Sequence, residues 1–342
     1  MRKPVILITG ANGEIGHGLI QHFGETSNQP IIAIDLKPID GKLGNYCVAG
    51  IVGDILDENL LQRLVSEYEI HAIYHLAALL STRAEYTPDI AHRVNVNGTL
   101  NLLKLAYEQS RWHGTPVKFL FPSSIACYGL PSLEEKHAAG KVKEIDYNFP
   151  TTMYGCNKLY CEQLGRYFSL HYRQLAADRH DSGVDFRAIR FPGLISAFTQ
   201  PAGGTSDYAP EMIHAAAQGK PYACFVPDHA RLPFMTMPDA IKAMVTLAAA
   251  PAQSLSQRIY NVGSFSISAG EVRDRALKKI PAAKITFEPD HARSGIVHTW
   301  PADVDDTPAR RDWGWKPDYD VDRSFDDYLM PNITRFYREQ KP

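Results

Sequence analysis

Short unbroken apolar runs alternate with longer segments in which apolar residues recur at helical spacing, and this pattern governs the first half of the chain. Val5-Ile-Leu-Ile-Thr9 is apolar throughout and stops at Gly10, so it reads as a strand buried on both faces, followed by a helix running to about Phe23. Pro30-Ile-Ile-Ala-Ile-Asp35 repeats the run. Cys47 to Val52 then reads as a short strand, Asn59 to Tyr68 as a helix, His71 to Leu76 as a strand and Ile90 to Gln109 as one long helix. Val117 to Pro122 is a further strand, closing on Ser123-Ser124. That order predicts an α/β fold built on a doubly wound parallel sheet.

The second half continues less regularly. Strands are expected at Val184 to Arg190, Arg258 to Val262 and Lys284 to Glu288, and helices at Tyr208 to Gln218, Pro238 to Ala249 and Ala269 to Lys279. The polar stretch Ser132 to Asn148, with Glu134-Glu135-Lys136 and Lys141 to Glu144, reads as a surface excursion. With no internal repeat, low-complexity tract or clean linker, two lobes that exchange segments are expected. Residues 1–190 plus about 234–263 form the larger one, and about 191–233 with 264–330 form a smaller C-terminal lobe.

Composition narrows the class. A chain of 342 residues with 44% hydrophobic content can bury a large core. Its 36 basic and 38 acidic residues leave a net charge of −2, which gives no electrostatic footprint for nucleic acid or an anionic membrane. A small-molecule partner is expected instead. Five scattered cysteines (Cys47, Cys127, Cys156, Cys161, Cys224), without Cys-x-x-Cys spacing, point to reduced thiols in a cytoplasmic compartment. Arg2-Lys3 resembles the start of a signal peptide, but the apolar run after it is a first strand, and no segment is long enough to span a membrane.

Chemistry enters at the end of the first strand. Gly10-Ala-Asn-Gly13-Glu-Ile-Gly16 supplies glycine where backbone must turn tightly and approach a pyrophosphate lying on the amides of a helix N-terminus. The second strand ends in Asp35, where a carboxylate hydrogen-bonds the adenosine ribose diol and disfavours a 2′-phosphate, so NAD is expected over NADP. A second signal is Tyr154-Gly-Cys-Asn-Lys158, a phenol and an ammonium on one helix face. Using a phenol as a base near neutrality means lowering its pKa by ~3 units, or ~4 kcal/mol. One cation about 4 Å away at an effective dielectric of ~20 supplies that much, so Lys158 is expected to depress Tyr154.

Other signals have plainer explanations. His71 and His75 lie four apart in an apolar strand pattern with no further ligand at suitable spacing, so no metal is expected. Trp300, Trp313 and Trp315 read as a packing knot in the C-terminal lobe. Ser123 and Ser124 stand where serines cap turns, and Asp207 stands at the N-cap of the helix beginning at Tyr208.

Taken together, the Gly10/Gly13/Gly16 turn, Asp35, Gly53-Asp54-Ile55, His75-Leu-Ala-Ala78, Asn95, Ser124 and Tyr154-x-x-x-Lys158 resemble the extended branch of the short-chain dehydrogenase/reductase superfamily over nearly the whole chain. The likeness implies a Rossmann-type NAD-binding lobe and a smaller substrate-binding lobe. It implies that Asn12, Glu14 and Ile15 join the glycines around the cofactor, that Leu36, Asp54 and Ile55 hold its adenosine end, and that Leu76, Ala77, Ala78, Pro192 and Leu194 line it further along. Asn95 would brace the tyrosine helix.

Within that branch, Pro192-Gly-Leu-Ile-Ser196, Gly203-Gly-Thr-Ser-Asp-Tyr-Ala209, Met237-Pro-Asp-Ala240, Trp300-Pro301 and Asp305-Asp306 through Asp312-Trp-Gly-Trp-Lys316 are similar to the epimerase-like L-threonine 3-dehydrogenases. That similarity implies a homodimer built on the helices carrying Asn95 and Tyr154, and an amino acid held by Ser81, Ser124, Tyr154, Thr205 and Ser206. The implied reaction is oxidation of the L-threonine 3-hydroxyl to 2-amino-3-oxobutyrate in threonine catabolism. Tyr154 would take the hydroxyl proton, Ser124 would bond the reacting oxygen, and Lys158 would bind the nicotinamide ribose.

Three features depart from that pattern. Ser206 replaces a usual threonine, Arg83 brings a cation where a small or neutral residue is usual, and the chain is longer at Ser132 to Asn148, Arg111 to Thr115 and Ala176 to Ser182. Arg83 could clamp the carboxylate of a different 3-hydroxy acid or sugar acid, or stand solvated in a loop. A nucleotide-sugar epimerase or dehydratase, and a non-catalytic NAD-sensing protein, are the rival readings on the same scaffold.

Overall fold

A computed structural model describes residues 3–27, 29–177, 183–201 and 203–339. Its strands in chain order are β1 (Lys3–Thr9), β2 (Ile31–Asp35), β3 (Cys47–Val52), β4 (Tyr68–His75), β5 (Val117–Ser124), β6 (Lys141–Val142) and β7 (Val184–Phe191). The later strands are β8 (Gly193–Ile195), β9 (Tyr222–Cys224), β10 (Arg231–Thr236), β11 (Ile259–Asn261), β12 (Phe265–Ser268), β13 (Ile285–Phe287) and β14 (Asp303–Val304). Seven of them make one sheet in the order β11-β7-β5-β4-β1-β2-β3, the Rossmann-like arrangement of a parallel sheet with flanking helices. β1 pairs in parallel with both β2 and β4, so Leu7 lies opposite Ile32 on one side and Ile73 on the other. Strand order reverses between β1 and β4, and such a reversal opens a crevice at the carboxyl ends of the strands.

The chain separates into two compact units. Unit 1 comprises residues 1–123, 156–189 and 241–260, and unit 2 comprises 124–155, 190–240 and 261–342. Unit 1 closes around Val5, Leu7, Ile32, Ile73, Leu102, Phe119 and Phe186, which explains why β1 and β2 are apolar without alternation: both faces of the sheet are covered. Unit 2 has its own core, with Tyr128, Tyr208, Phe234, Ile267, Val297, Trp300 and Phe325. Trp313 and Trp315 are also buried, their rings 5.7 Å apart, and Trp315 Nε1 donates to the Gly263 carbonyl.

The expected boundary near residue 190 coincides with one between the units, but residues 124–155 fall in unit 2 instead of the larger lobe. Their bonds explain why. The Leu130 amide donates to Thr299 O, Lys136 Nζ donates to Val297 O, and β6 pairs with β14. The Ser132–Asn148 stretch is accordingly more than a surface excursion: it contains the helix Leu133–Ala139 and β6, and buries Lys136 and Val142.

A second correction concerns the long helix expected at Ile90 to Gln109. It is three pieces, Pro88–His92, a π-helical turn at Arg93–Asn97 and Gly98–His113. The short strands β8, β9, β10, β12 and β14 go beyond the sequence reading. The Arg111–Thr115 addition closes the Gly98–His113 helix, with Gly114 at φ +75° as its C-cap. In the Ala176–Ser182 addition, residues 178–182 lie outside the described residues.

Candidate active site

The glycine turn is built by contacts that allow no side chain. Gly10 follows β1 at φ +66°, and a Cβ there would stand 2.6 Å from the backbone nitrogen of Ala77 in the loop after β4. Gly16 lies against the Ala11 carbonyl, where a Cβ would come within 2.5 Å. Gly13 is the N-cap of the helix Glu14–Thr26 and makes no side-chain cap bond, so the glycine turn leads directly into the amide end of that helix. These features fit a dinucleotide pyrophosphate.

Asp35 is tied into the same turn, accepting from the amides of Asn12 (3.0 Å) and Lys37 (3.2 Å), while Asn12 Nδ2 donates to the carbonyls of Lys37 and Pro38. Leu36 beside it is 70% exposed. Asp54 accepts from the Leu56 amide, and Ile55 is buried with its carbonyl taking a bond from Asn101 Nδ2. The loop Leu76–Ala78 is half-buried and anchored at Thr9, whose carbonyl accepts from the Leu76 amide.

Behind that loop runs a buried polar chain. His75 Nδ1 lies 2.9 Å from Thr9 Oγ1 and Nε2 lies 2.9 Å from Thr99 Oγ1. Thr99 spends its one hydroxyl hydrogen on the Asn95 carbonyl, so it accepts from Nε2–H, and Nδ1 accepts from Thr9. Burial, with the Lys158 charge adding to it, pushes the His75 pKa down to about 3. His75 is therefore held neutral with both ring nitrogens hydrogen-bonded, while His71 pairs with Glu69 and stacks on His113. Asn95 bonds both the amide and the carbonyl of Leu79, and its Nδ2 reaches Asn157 on the helix Met153–Leu170.

That helix carries Tyr154 and Lys158 one turn apart. In unit 1, Lys158 is buried, donates to the Pro122 carbonyl at 2.7 Å and lies 4.5 Å over the Phe121 ring. One turn further, fully buried Glu162 accepts from Ser123 Oγ at 2.5 Å.

In unit 2, Ser124 caps the short 3-10 turn Ile125–Cys127, its Oγ accepting from the Ala126 amide. A Cβ on Gly155 would lie 2.1 Å from the Ala126 carbonyl, so only glycine after Tyr154 lets the start of its helix pack on the turn that Ser124 caps. The two hydroxyl-bearing residues are thereby brought to one locality. The Tyr154 phenol is shifted upward, by burial first and by the nearby Cys127 thiol second. This reverses the expected direction. Desolvation penalises phenolate more than the sequence spacing suggested.

Also in unit 2, Thr205 is buried and Ser206 half-buried, after Gly203 at φ +88°. Asp207 occupies the N-cap position of the helix Tyr208–Gln218, but its carboxylate turns back to the Gly204 amide and makes no side-chain cap bond. Pro192 is buried and Leu194 half-buried at the start of β8. In unit 1, Ser81 is buried at the first position of the helix Ser81–Tyr86, whereas Arg83 on that helix is exposed.

Sequence reasoning missed Thr9, Thr99, Cys127 and Glu162. The available signal was position: Thr9 ends the first strand, Cys127 follows Ser124 by three residues, and Glu162 continues the Tyr154/Lys158 face by one turn.

Residues 6–263 match the model of the NAD dependent epimerase/dehydratase family. The chain is 34% identical to the mitochondrial L-threonine 3-dehydrogenase of Bos taurus over 323 residues, 92% of this chain and 79% of that protein. Among solved structures it is similar to L-threonine dehydrogenase from Clostridium difficile (33% identity, TM-score 0.84, 98% of this chain and 99% of that one). It is also similar to the holo form of the GalE-like L-threonine dehydrogenase from Cupriavidus necator (34% identity, TM-score 0.81, 99% of this chain and 100% of that one).

Proposed function

Because this chain belongs to the NAD-dependent epimerase/dehydratase family, we propose that it oxidises the 3-hydroxyl of L-threonine to 2-amino-3-oxobutyrate. The observation that carries this reading is the packing of Gly155, next to Tyr154, against the turn that Ser124 caps, on a chain similar over nearly its whole length to L-threonine dehydrogenases. Gly10, Asn12, Gly13, Glu14, Ile15 and Gly16 would hold the NAD pyrophosphate. Asp35, Leu36, Asp54 and Ile55 would hold its adenosine, and Leu76, Ala77, Ala78, Asn95, Tyr154, Lys158, Pro192 and Leu194 the remainder. Bound NAD supplies the hydride acceptor, which carries positive charge in its oxidised form.

Tyr154 Oη takes the hydroxyl proton as the carbinol C–H electron pair departs as hydride, and Ser124 Oγ donates to the oxygen that becomes the carbonyl. Burial keeps the proton on Tyr154 in the free chain, so phenolate formation depends on nearby positive charge. A cation about 4 Å from a phenolate at an effective dielectric of ~20 contributes ~4 kcal/mol; we assign part of that charge to Lys158, whose effect burial outweighs in the free chain. Ser81, Thr205 and Ser206 are assigned to the amino-acid headgroup, with Arg83 peripheral.

The test is NADH formation across L-threonine, L-serine, 3-hydroxy acids and sugar acids, with Tyr154→Phe alongside. L-Threonine should give the highest kcat/KM, and Tyr154→Phe should abolish turnover while NAD still binds. A variant keeping more than about a tenth of wild-type kcat, a loss of only ~1.4 kcal/mol, would remove Tyr154 as principal base.

We also assign a homodimer in a cytoplasmic compartment. Exposed Tyr86, Ile90, Tyr160 and Tyr167, on or beside the helices carrying Asn95 and Lys158, support the first, and five free thiols support the second. Light scattering of the purified chain measures the assembly directly.

A further inference from the structure

Unit 2 contains a small cavity of about 80 Å³ that involves none of the residues assigned above. Leu133, Lys136 and His137 reach it from the helix Leu133–Ala139, His229, Ala230 and Arg231 from the segment entering β10, and His298 and Ala302 from the end of the helix His291–Thr299. One water needs ~10–15 Å³ of such space, so the cavity has room for several waters or one four-oxygen anion.

Its chemistry is one-sided. Five of the eight lining residues are bases, and none is a carboxylate. Arg231 is neutralised by Glu271 at 2.6 Å and also donates to the Ser266 carbonyl, and exposed His229 has Asp228 at 3.3 Å. Lys136 is different. Only 3% of it is exposed, its Nζ donates to the Val297 carbonyl at 3.0 Å, and among the described residues no carboxylate pairs with it. Among the described residues, His298 Nε2 is buried with no hydrogen-bond partner. The charges act on one another: burial, then Lys136 and His229, push the His298 pKa down, and burial brings Lys136 down to about 8.

A buried ammonium and an unpartnered imidazole nitrogen, on residues lining one small space, are matched by a compact anionic acceptor. A divalent cation is the wrong partner. Among the described residues no group of His, Cys, Asp or Glu is arranged to hold one, and Lys136 would repel it.

We propose that this cavity is a binding site for a small phosphate-class oxyanion, held by Lys136 and His298 with His137 and His229 at its rim. The inference is independent of the L-threonine reading. The phosphate is either the free ion or the head of a small phosphate monoester, since both present the same oxygens.

The test is calorimetric titration of the full-length wild-type chain with inorganic phosphate and, separately, with glycerol phosphate. Ionic strength is held constant with chloride and pH is set at about 6.5, below the pKa of about 8 to which burial brings Lys136, so that its ammonium is charged. Saturable binding, weakened at least about tenfold by Lys136→Met and by His298→Gln but unchanged by Lys220→Met on an exposed lysine, is the expected result. A stronger response to one ligand supports the site and separates the two sources. Absence of saturable binding to wild type overturns the proposal, as does equal affinity in wild type and both cavity variants. Retained NAD binding and circular dichroism establish that each variant is folded. Should Lys136→Met not fold, the wild-type and His298→Gln titrations decide.

Discussion

Acid should weaken this protein through His75, by an amount that follows from its surroundings. The ring is 2% exposed, accepts at Nδ1 from Thr9 and donates at Nε2 to Thr99, so a second proton has no acceptor unless the Thr9 hydroxyl reverses. Its pKa falls from 6.5 to about 3, and the sign follows directly. Below pH 6.5 the unfolded chain binds a proton that the folded chain refuses, so stability is fully present above 6.5 and drains away as pH falls toward 3. This group alone removes about 2 kcal/mol between about pH 7.5 and pH 5, and about 3 kcal/mol by about pH 4. Urea denaturation followed by circular dichroism at the two higher pH values measures the total. His75→Gln isolates the part due to this ring, because glutamine offers one donor and one acceptor but does not titrate. The variant should lose some stability at pH 7.5, yet its drop on going to pH 5 should be smaller than wild type by about 2 kcal/mol. If the two drops agree within about 0.5 kcal/mol, the buried neutral imidazole is not the acid-sensitive element.

Gly10→Ala should cost ~1–2 kcal/mol for a left-handed backbone alone, and more for the overlap with Ala77, with NAD affinity falling further than stability; unchanged NAD titration would refute the cradle. With Asp35 at the end of β2, kcat/KM should be lower with NADP than with NAD, and parity would withdraw the ribose assignment. Arg83→Ala should shift the L-threonine KM little because Arg83 is exposed, whereas Thr205→Ala should raise it clearly. A loss of ~2–5 kcal/mol in kcat/KM for Arg83→Ala, with L-threonine a poor wild-type substrate, would redirect the pocket to another hydroxy acid.

What could be read from sequence was what depends on short-range pattern. β1, its glycine turn and the following helix were legible because an unalternating apolar run ended by glycine has few alternative meanings. The Tyr208–Gln218 and Ala269–Lys279 helices have their expected bounds because polar residues before them, and a glycine or basic pair at their ends, mark both limits. The π-helical turn at Arg93–Asn97 was not legible, since one extra residue in a turn leaves helical periodicity almost unchanged over its short length. Lys136 was misread as surface for a related reason. A lysine signals exposure by type, and only the packing of its helix beside Val297 buries it. The Tyr154 shift failed in sign because spacing reveals the nearby cation but not the depth of the phenol.

The interleaving of the two units imposes an order on synthesis. Unit 1 has its first stretch complete at Ser123 but receives its last residues only at Tyr260, 137 positions later. At ~5–20 residues per second that is a wait of roughly 7–27 s. During it, the sheet presents first β5 and then β7 as an open edge, because β7 is added beyond β5 and β11 beyond β7. An unpaired edge of such apolar strands is a template for pairing with other chains. The nascent protein is therefore most prone to aggregate before residue 260 emerges, and truncation between β7 and β11 should leave a chain that chaperones retain.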